Sequence, residues 1–341
     1  DWSSDVCSSD LKYNRFFVKK GLELIHKRYH KGISKLIDNS KIASSPTSQD
    51  LGFIVGPQIN AASRIDDSSL ASKLLITNDI EQIESISRKL FLLNEKRKLI
   101  ESQIFDDAKK QASKQEDSKY ILVYGNDWHK GVLGIIASKI LEIYYKPVIV
   151  ISFLNKIGVG SARSIDNIDL GKIIFQAKHE NIIISGGGHS MAAGLKIDNS
   201  NLDLFKQFLD KSFFSYDNKI FERTDYFDSL ISVNDLNLEL LEGIGKIEPY
   251  GKANPEPIFV INDIKIDSIK VIKNKHILLF FENDLGQKIK GISFNVKDTI
   301  LGDYLEKFNQ YKLLIACTIT LDKFTTKQVP QLIVKDIMKI D

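Results

Sequence analysis

The sequence predicts an α/β plus all-β protein, in which a long helix precedes an α/β lobe and a small β lobe follows it. Strand-like and helix-like segments alternate between residues 118 and 205, which is typical of an α/β fold. After residue 221 short strand-like runs replace this alternation, and only one helix-like stretch interrupts them. Between residues 78 and 115 apolar side chains recur at threes and fours, and neither glycine nor proline breaks the pattern.

The long helix is predicted to begin at Asn78 or Asp79, because either side chain can cap it. Its pattern fits a spacer between two lobes and equally an ordinary solvated helix of one lobe. Ahead of it, residues from Leu11 to about Ser40 have helical spacing, and a short helix is expected near 69–75. The apolar run 51–57 ends at Gly-Pro and predicts a short buried strand.

The α/β lobe contains a glycine-rich run, Ile184-Ser-Gly-Gly-Gly-His-Ser-Met-Ala-Ala-Gly194. Its order predicts a strand, a tight loop and the start of a helix. Glycine N–H groups can approach an anion closely, and a helix N-terminus favours negative charge. Gly186, Gly187, Gly188 and His189 therefore predict a phosphate-handling loop, and a tight turn with a structural histidine is the open alternative. The other elements expected here are strands at 120–124, 147–153, 159–163 and 182–185 and helices at 131–143, 170–177 and 201–214.

A second run compatible with phosphate binding, Gly158-Val-Gly-Ser-Ala-Arg-Ser164, lies just upstream. Ser161 and Ser164 offer hydroxyl donors, and Arg163 can hold a phosphate through two parallel hydrogen bonds. The alternative is a glycine-edged strand whose arginine points to solvent.

Two further polar groups stand at predicted strand ends. His129 and Lys130 lie between the first strand of the α/β lobe and the next helix, at the edge where α/β folds bind ligands. A capping turn with an exposed histidine is the alternative for His129. Asn60 and Arg64 form a similar polar cluster after the run 51–57.

The β lobe is predicted to be an OB-type barrel with strands at 259–266, 269–272, 277–281, 288–294, 312–321 and 331–338 and a helix near 296–308. Interleaved aromatic and lysine side chains suit single-stranded nucleic acid, because bases stack while lysines follow the backbone. Most of these phenylalanines are expected in the core, which leaves one or two for stacking. The residues are Phe259, Phe280, Phe281, Phe294, Phe324, Lys265, Lys270, Lys273, Lys275, Lys288 and Lys290.

Composition narrows the class of protein. Apolar residues make up 43% of the chain and charged residues 27%, which is ordinary for globular domains. No apolar run is long enough for a transmembrane helix, so no membrane association is expected. Two cysteines, Cys7 and Cys317, cannot form a disulfide framework, so a cytoplasmic location is expected.

Residues 1–10 do not resemble the rest and are interpreted as a sequencing-adapter or assembly scar. Without its three Asp the net charge rises from +3 to +6, which is compatible with nucleic acid.

The sequence lacks the ligand patterns of a metal site. It has no Asp-x-Asp, Asp-His-His or Cys-x-x-Cys spacing. His26 and His30 would share one helix face, but Lys27, Arg28 and Tyr29 lie between them and no carboxylate is close. A solvated basic face is the better interpretation, and this chain is expected to bind no metal ion.

Five motifs occur in order along the chain. They are Gly56-Pro-Gln-Ile-Asn-Ala-Ala-Ser-Arg-Ile-Asp66, Trp128-His-Lys-Gly-Val-Leu-Gly-Ile-Ile-Ala-Ser138, Gly160-Ser-Ala-Arg-Ser164, Gly186-Gly-Gly-His-Ser-Met-Ala-Ala-Gly194 and Pro249-Tyr-Gly-Lys-Ala-Asn-Pro-Glu-Pro257. Together they resemble the RecJ family of single-stranded-DNA-specific exonucleases, in the DHH/DHHA1 phosphoesterase superfamily, from Asn14 to the C-terminus. The resemblance implies a DHH domain with two Mn²⁺ or Mg²⁺ ions, a long helix, a DHHA1 domain and an OB domain. It also implies 5′→3′ degradation of single-stranded DNA to mononucleotides in recombination and repair.

Residue roles carry over only where the motifs match. The resemblance implies that Asn60 and Arg64 face the cleft between the lobes. It implies that Ser161 and Arg163, with Ser164 in the same motif, grip the 5′ phosphate or the neighbouring backbone. His189 is implied beside the scissile phosphate in a supporting catalytic role, and His129 matches the histidine before the DHHA1 helix. The departures from the family pattern are Gln58 for a usual Arg, Ser63 for Gly and Ala162 for Gly.

The DHH metal-binding motifs themselves are not found, and the stretch from Asn14 resembles the family's segment just after the last of them. The chain is therefore expected to be a truncated exonuclease, inactive alone, with its metal ligands lost upstream of Leu11. The expected domains are a scar at 1–10, a DHH remnant at 11–77, a linker helix at 78–115, a DHHA1 domain at 116–220 and an OB nucleic-acid-binding domain at 221–341.

Single-stranded DNA is the expected partner, and the resemblance adds single-strand-binding protein and a RecQ-type helicase. Two alternatives stay open: a non-catalytic single-stranded nucleic-acid-binding module, and an oligonucleotide or pAp phosphatase of the same superfamily. The predicted C-terminal barrel disfavours the phosphatase, because those enzymes usually end at DHHA1.

Overall fold

A computed structural model describes residues 12–40, 42, 45–251, 254–262, 265–282, 286, 288–297, 299–307, 312–322 and 329–340. The interpretation of 1–10 as a scar falls outside these residues. The described residues form two compact units, Glu23–Thr224 and residues 12–22 together with those from 225 to 340. No helix among the described residues is long and apolar enough to cross a membrane. The domain boundaries expected after 77, 115 and 220 stay predictions.

The chain begins with short helices. They are α1 (Lys12–His26), α2 (Lys31–Asn39), α3 (Ser48–Asp50), a π-helical turn (Leu51–Val55), α4 (Gly56–Ile65) and α5 (Ser69–Ile76). The strand predicted at 51–57 is therefore wrong. Thr47 and Asp50 form a reciprocal capping box that starts a helix, and Pro57 lies in the first turn of α4, where no N–H donor is needed.

The predicted long helix is confirmed as α6 (Ile80–Ala112), which is about 50 Å long at 1.5 Å per residue. The carboxylate of Asp79 caps it by accepting from the N–H groups of the first turn. Its N-terminal half packs against α2, α4 and α5 through Ile83 and Leu90. Its C-terminal half joins a core of the α/β lobe through Ile104 and Ala108. Packing at both ends makes α6 a spacer within this unit rather than a helix of one lobe.

The α/β lobe is a mixed sheet between two helical layers. Its elements are β1 (Ile121–Asn126), α7 (Leu133–Tyr144), β2 (Val148–Leu154), β3 (Ile157–Arg163), α8 (Leu170–His179), β4 (Ser185–His189), β5 (Ala192–Asp198) and α9 (Leu202–Phe214). The strand order is β1-β2-β3-β5-β4, with β1 and β2 parallel and the other pairs antiparallel. One face packs on α8 and α9 around Ile151 and Phe205, and the opposite face packs on α6 and α7 around Val150 and Ile136.

Two glutamines close the β1 edge of this sheet, one from the end of α6 and one from just beyond it. The side-chain amide of Gln111 accepts from the N–H of Tyr124 (3.1 Å) and donates to its carbonyl (2.8 Å). Gln115 bonds the N–H and carbonyl of Leu122 in the same way, at 3.0 and 2.9 Å. The backbone groups of an edge strand are thereby satisfied by side chains, which fixes the lobe to the long helix.

The β lobe consists mainly of short strands with two interposed α-helices among its described residues. They are β6 (Ser229–Ile231), α10 (Leu238–Lys246), β7 (Phe259–Ile261), β8 (Lys265–Ile272), β9 (His276–Glu282), β10 (Lys288–Ser293), α11 (Ile300–Glu306), β11 (Lys312–Leu321) and β12 (Pro330–Ile340). The sheet order is β6-β7-β11-β12-β10-β9-β8, and among described residues no pairing joins β6 to β8. The fold is OB-type, as predicted. Helix α10 was not predicted, and it begins after Asn237, whose side chain caps it.

Candidate nucleic-acid interface

Three neighbouring strands of the α/β lobe place polar side chains on one face of its sheet. The register pairs Arg163 of β3 with Ala192 of β5, and Ala192 with His189 of β4. Residues paired across strands point to the same face, so Arg163 and His189 share a face. The next residues along each strand, Ala162 and Ala193, point instead into the core under α8 and α9. Two strand spacings separate Arg163 from His189, which is roughly 10 Å.

Small residues fill the surface between these two side chains. The next row on the same face pairs Ser161 with Gly194, and Gly194 with Gly187. Gly187 is exposed, and no atom lies within 4 Å of the position that a Cβ would occupy there. With Ala192 beside them, these residues form a low surface that a polymer backbone can approach closely.

Arg163 is half-buried and keeps its guanidinium beside Ser161. Its Nη1 donates to the carbonyl oxygen of Ala162 at 2.9 Å and lies 3.3 Å from Oγ of Ser161. Gly134, in the first turn of α7, provides the space for both side chains. A Cβ at Gly134 would lie 2.8 Å from Nη2 of Arg163 and 3.1 Å from Oγ of Ser161.

Arg64 lies in the last turn of α4, and its side chain extends to the turn before α7, close to Arg163. We call this place, where Arg64 and Arg163 come together, the corner. Its Nη1 donates to the carbonyl oxygen of Gly131 at 2.9 Å, in the turn that precedes α7. A Cβ at Gly131 would lie 2.1 Å from the carbonyl oxygen of Arg64, so only glycine permits this contact. The end of α4 and the start of α7 therefore lie against each other.

The two arginines act on each other electrostatically. Burial lowers the pKa of the Arg163 guanidinium below its usual value, and the positive charge of Arg64 lowers it further. Among the described residues, no carboxylate lies within 4.0 Å of either guanidinium. A phosphate bound between them would relieve this repulsion and accept several charge-assisted hydrogen bonds.

The glycine-rich run does not form the predicted loop and helix start. Ser185–His189 is strand β4, and a two-residue turn joins it to β5. Glycine is needed for packing, because a Cβ at Gly186 would lie 2.7 Å from Ile174 of α8 and one at Gly188 would lie 2.3 Å from the carbonyl oxygen of Ala192. The strand predicted at 182–185 starts only at Ser185. His189 is exposed at the end of an edge strand, and the start of α8 packs against the backbone there, since the N–H of Leu170 donates to the carbonyl oxygen of Ser190 at 3.0 Å.

The remaining predicted residues lie near this face in different environments. Nδ1 of His129 accepts from the N–H of Gly131 at 3.1 Å, which matches the capping turn that the sequence left open. Ser164 is only 3% exposed, and its Oγ donates to the carbonyl oxygen of Ile168 at 2.9 Å, so its hydroxyl faces the interior. Asn60 is exposed on α4, one turn before Arg64.

The three departures from the family pattern have simple local explanations. Gln58 is buried, and its Nε2 donates to Oγ of Ser40 at 2.8 Å. Ala162 places its methyl group in the core under α8 and α9. Ser63 is exposed, and its Oγ donates to the carbonyl oxygen of Asn60 at 3.0 Å.

Sequence reasoning missed Gly131 and Gly134. Both stand in the second motif, three residues apart, where the first admits the end of α4 and the second admits Arg163. Both lie in the first turn of the helix predicted at 131–143, and the groups that fill the space beside them come from distant parts of the chain.

The phenylalanines of the β lobe divide into buried and exposed residues, as the sequence predicts. Phe259 and Phe281 are in the core, Phe280 is half-buried, and Phe294 is 52% exposed with its ring against the edge of His276. Phe324 lies outside the described residues.

Two lysines of the β lobe lie next to carboxylates. Nζ of Lys290 is 2.9 Å from Asp322, and Nζ of Lys288 is 3.6 Å from Asp267. Their charge is partly neutralised before any ligand binds.

The fifth motif has a structural role in the part that is described. The hydroxyl of Tyr250 donates to the carbonyl oxygen of Ile244 at 2.7 Å, and Nδ2 of Asn254 donates to that of Pro249 at 3.0 Å. Lys252 and Ala253 of this motif lie outside the described residues.

No group of three or more His, Cys, Asp or Glu side chains that could hold a metal ion occurs in the part of the chain that the structure describes. No metal-dependent step is assigned to the described residues.

Comparisons with known proteins identify both lobes. The family model of the DHHA1 domain matches residues 117–213, and that of the RecJ OB domain matches 227–336. The single-stranded-DNA-specific exonuclease RecJ of Haemophilus influenzae is 31% identical over 351 residues, covering 99% of this chain and 60% of that protein. The chain therefore carries a DHHA1 domain and a RecJ OB domain, and it is similar to RecJ proteins over most of its length. RecJ of Dickeya dadantii is 32% identical over 310 residues, covering 87% of this chain and 53% of that protein.

A solved structure supports the fold of this chain. RecJ from Thermus thermophilus, crystallised in complex with Mg²⁺, has a TM-score of 0.82 at 24% identity, covering 99% of this chain and 51% of that one. The chain thus spans about half to 60% of the length of the RecJ proteins that it matches.

Proposed function

We propose that this chain is part of a single-stranded-DNA-specific 5′→3′ exonuclease of DNA recombination and repair, and that its α/β lobe holds the 5′ phosphate. The observation that carries the proposal is the pair of guanidinium groups, Arg64 and Arg163, beside the hydroxyl of Ser161. The activity named for the RecJ relatives supports the choice of substrate.

Each residue has its own proposed role. Arg163 donates two N–H groups to the 5′ phosphate, Ser161 donates its hydroxyl, and Arg64 balances the second negative charge. Gly187 and its small neighbours let the sugar–phosphate backbone lie on the sheet. His189 lies roughly 10 Å from Arg163 by strand spacing. Its proposed role is to contact the scissile phosphate, where an imidazole can stabilise developing charge.

The β lobe is proposed to bind single-stranded DNA without recognising its 5′ end. Phe294 is its proposed stacking residue, because its ring is 52% exposed and it directly follows the end of β10. Stacking on an aromatic ring tolerates any base, so this contact would add affinity without reading the 5′ end.

Cleavage is proposed to use Mn²⁺ or Mg²⁺, as the RecJ structures from Thermus thermophilus were solved with these ions. We expect the 341-residue chain to bind single-stranded DNA and to release no mononucleotides when Mn²⁺ is added. Mn²⁺-dependent release by the purified chain would contradict this division of roles.

The 5′-phosphate role is tested by binding in EDTA, with one single strand that carries either a 5′ phosphate or a 5′ hydroxyl. The wild-type chain is expected to prefer the phosphate. Arg163→Ala should weaken binding of the phosphorylated strand about tenfold or more, since a hydrogen bond to a charged group contributes about 1.5–3 kcal/mol. Arg88→Ala removes an exposed arginine of α6 and serves as the matched control. An equal loss on both strands with Arg163→Ala would remove the 5′-phosphate assignment.

Binding of short ligands separates this function from its alternatives. A phosphatase of dinucleotides or pAp would bind a dinucleotide as tightly as a longer strand. The proposed exonuclease uses both lobes and should bind the longer strand more tightly. Single-strand-binding protein and a RecQ-type helicase are proposed as partners, and the cytoplasm as the location, on the family resemblance alone.

A further inference from the structure

The turn between β1 and α7 is held rigidly at its start. The N–H of Asp127 donates to the carbonyl oxygen of Phe153 at 2.9 Å. Oγ of Ser152 donates to the carbonyl oxygen of Trp128 at 2.6 Å. Gly125 leaves room for the indole of Trp128, since a Cβ there would lie 2.2 Å from that ring. His129 therefore follows a segment whose backbone cannot shift freely.

Both backbone groups of Gly131 are bonded to residues of the candidate site. Its N–H donates to Nδ1 of His129 at 3.1 Å, and its carbonyl oxygen accepts from Nη1 of Arg64 at 2.9 Å. The imidazole and the guanidinium are thus connected through one residue. An imidazole that accepts at Nδ1 carries its proton on Nε2 when it is neutral.

We propose that His129 is a positioning residue for the 5′ phosphate: it fixes Gly131, and Gly131 aims Arg64 at the corner shared with Arg163. The inference rests on the proposed function, because it concerns the same phosphate. It differs from a phosphate-contacting role for His129, since the ring nitrogen that faces the turn is already used by a backbone N–H.

Two substitutions of His129 distinguish a positioning role from an effect of side-chain size. Asn is among the best residues at a helix N-cap, because its side-chain oxygen can accept from a backbone N–H, whereas Gln is a poor N-cap of similar size. His129→Asn should therefore keep the bond to Gly131, and His129→Gln should lose it. Neither variant introduces a charge.

The readout is the ratio of Kd for the 5′-hydroxyl strand to Kd for the 5′-phosphate strand, measured with the full chain in EDTA. We expect His129→Gln to lower this ratio about fivefold and His129→Asn to keep it within about twofold of wild type. We expect His129→Gln to have no further effect on the ratio in an Arg64→Ala background, because His129 acts through Arg64. Thermal unfolding of each variant confirms that it is folded.

Three outcomes would overturn the inference. If His129→Gln lowers the ratio as strongly in Arg64→Ala as in wild type, His129 contacts the phosphate directly. If Arg64→Ala lowers the ratio and His129→Gln does not, the positioning role fails while the proposed function stands. If wild type shows no preference for the 5′ phosphate, the proposed function and the inference fail together.

Discussion

The two lobes differ in how their cationic side chains are neutralised. On the α/β lobe, Arg64 and Arg163 lie close enough to perturb each other, and no described carboxylate pairs with either. On the β lobe, Lys290 lies 2.9 Å from Asp322, whose side chain is only 4% exposed. Two guanidinium groups without a carboxylate partner favour binding of a dianionic phosphate. A lysine beside a buried carboxylate attracts a phosphate only weakly, because its charge is already compensated.

A count of basic residues alone does not tell how their charges are arranged or neutralised. The β lobe has the longer series of lysines in the sequence, and the α/β lobe has the better arranged cations. We therefore expect end recognition to come from the α/β lobe and affinity independent of the 5′ end to come from the β lobe.

Charge reversal at Arg163 is expected to have the largest effect. In Arg163→Glu the new carboxylate would pair with Arg64, so the lobe should keep its fold while the site loses its positive charge. Affinity for a 5′-phosphorylated strand should fall about a hundredfold, the combined effect of two lost charge-assisted contacts. Fluorescence anisotropy with both strand types measures this, and circular dichroism checks the fold. A loss below about threefold would contradict the contrast between the lobes.

Removal of Lys290 should affect stability more than binding. Lys290→Ala leaves the carboxylate of Asp322 buried without the ammonium group beside it, which should cost about 2 kcal/mol of unfolding free energy. Affinity for either strand should change by less than about twofold, because the lysine charge is already compensated. Urea unfolding and anisotropy on the same sample test both parts. Lys275→Ala, at an exposed lysine of the β8–β9 turn, is the control. A binding loss larger than that of Arg163→Ala would reverse the comparison.

Removal of the exposed ring of Phe294 should have the smallest effect that is still measurable. Phe294→Ala is expected to reduce affinity about fivefold, at the lower end of the contribution of one stacked base. The loss should be equal for the 5′-phosphate and 5′-hydroxyl strands, unlike that of Arg163→Ala. Phe281→Ala would instead destabilise the core, since Phe281 is fully buried. A loss that depends on the 5′ end would place end recognition in the β lobe.

The sequence predicts the elements that depend on local pattern. Helix α6 follows from an uninterrupted apolar stripe and the cap at Asp79, and most strands of both lobes follow from short apolar runs. Strand β4 was mispredicted because a run of glycines has no side-chain periodicity, and only pairing with β5 makes it a strand. The run 51–57 was mispredicted because its apolar residues fit a strand, while a capping box upstream starts a helix.

The candidate site could be predicted only in part. Ser161 and Arg163 were recognisable from one short motif, and Arg64 from another. Their meeting depends on Gly131 and Gly134, which give room for contacts between segments that are distant in sequence. Ser164 shows the converse, because its motif position suggested a ligand while its hydroxyl is bonded inside the lobe.

The most direct test of the central claim is to observe the arginine side chains during titration with a 5′-phosphorylated single strand. Side-chain ¹⁵N–¹H resonances of Arg64 and Arg163 should shift and sharpen as the phosphate fixes both guanidinium groups, and those of Arg88 should stay in place. The 5′-hydroxyl strand should cause much smaller shifts at the same occupancy. Unchanged Arg64 and Arg163 resonances at saturation with the phosphorylated strand would contradict the assignment of this face as the 5′-phosphate site.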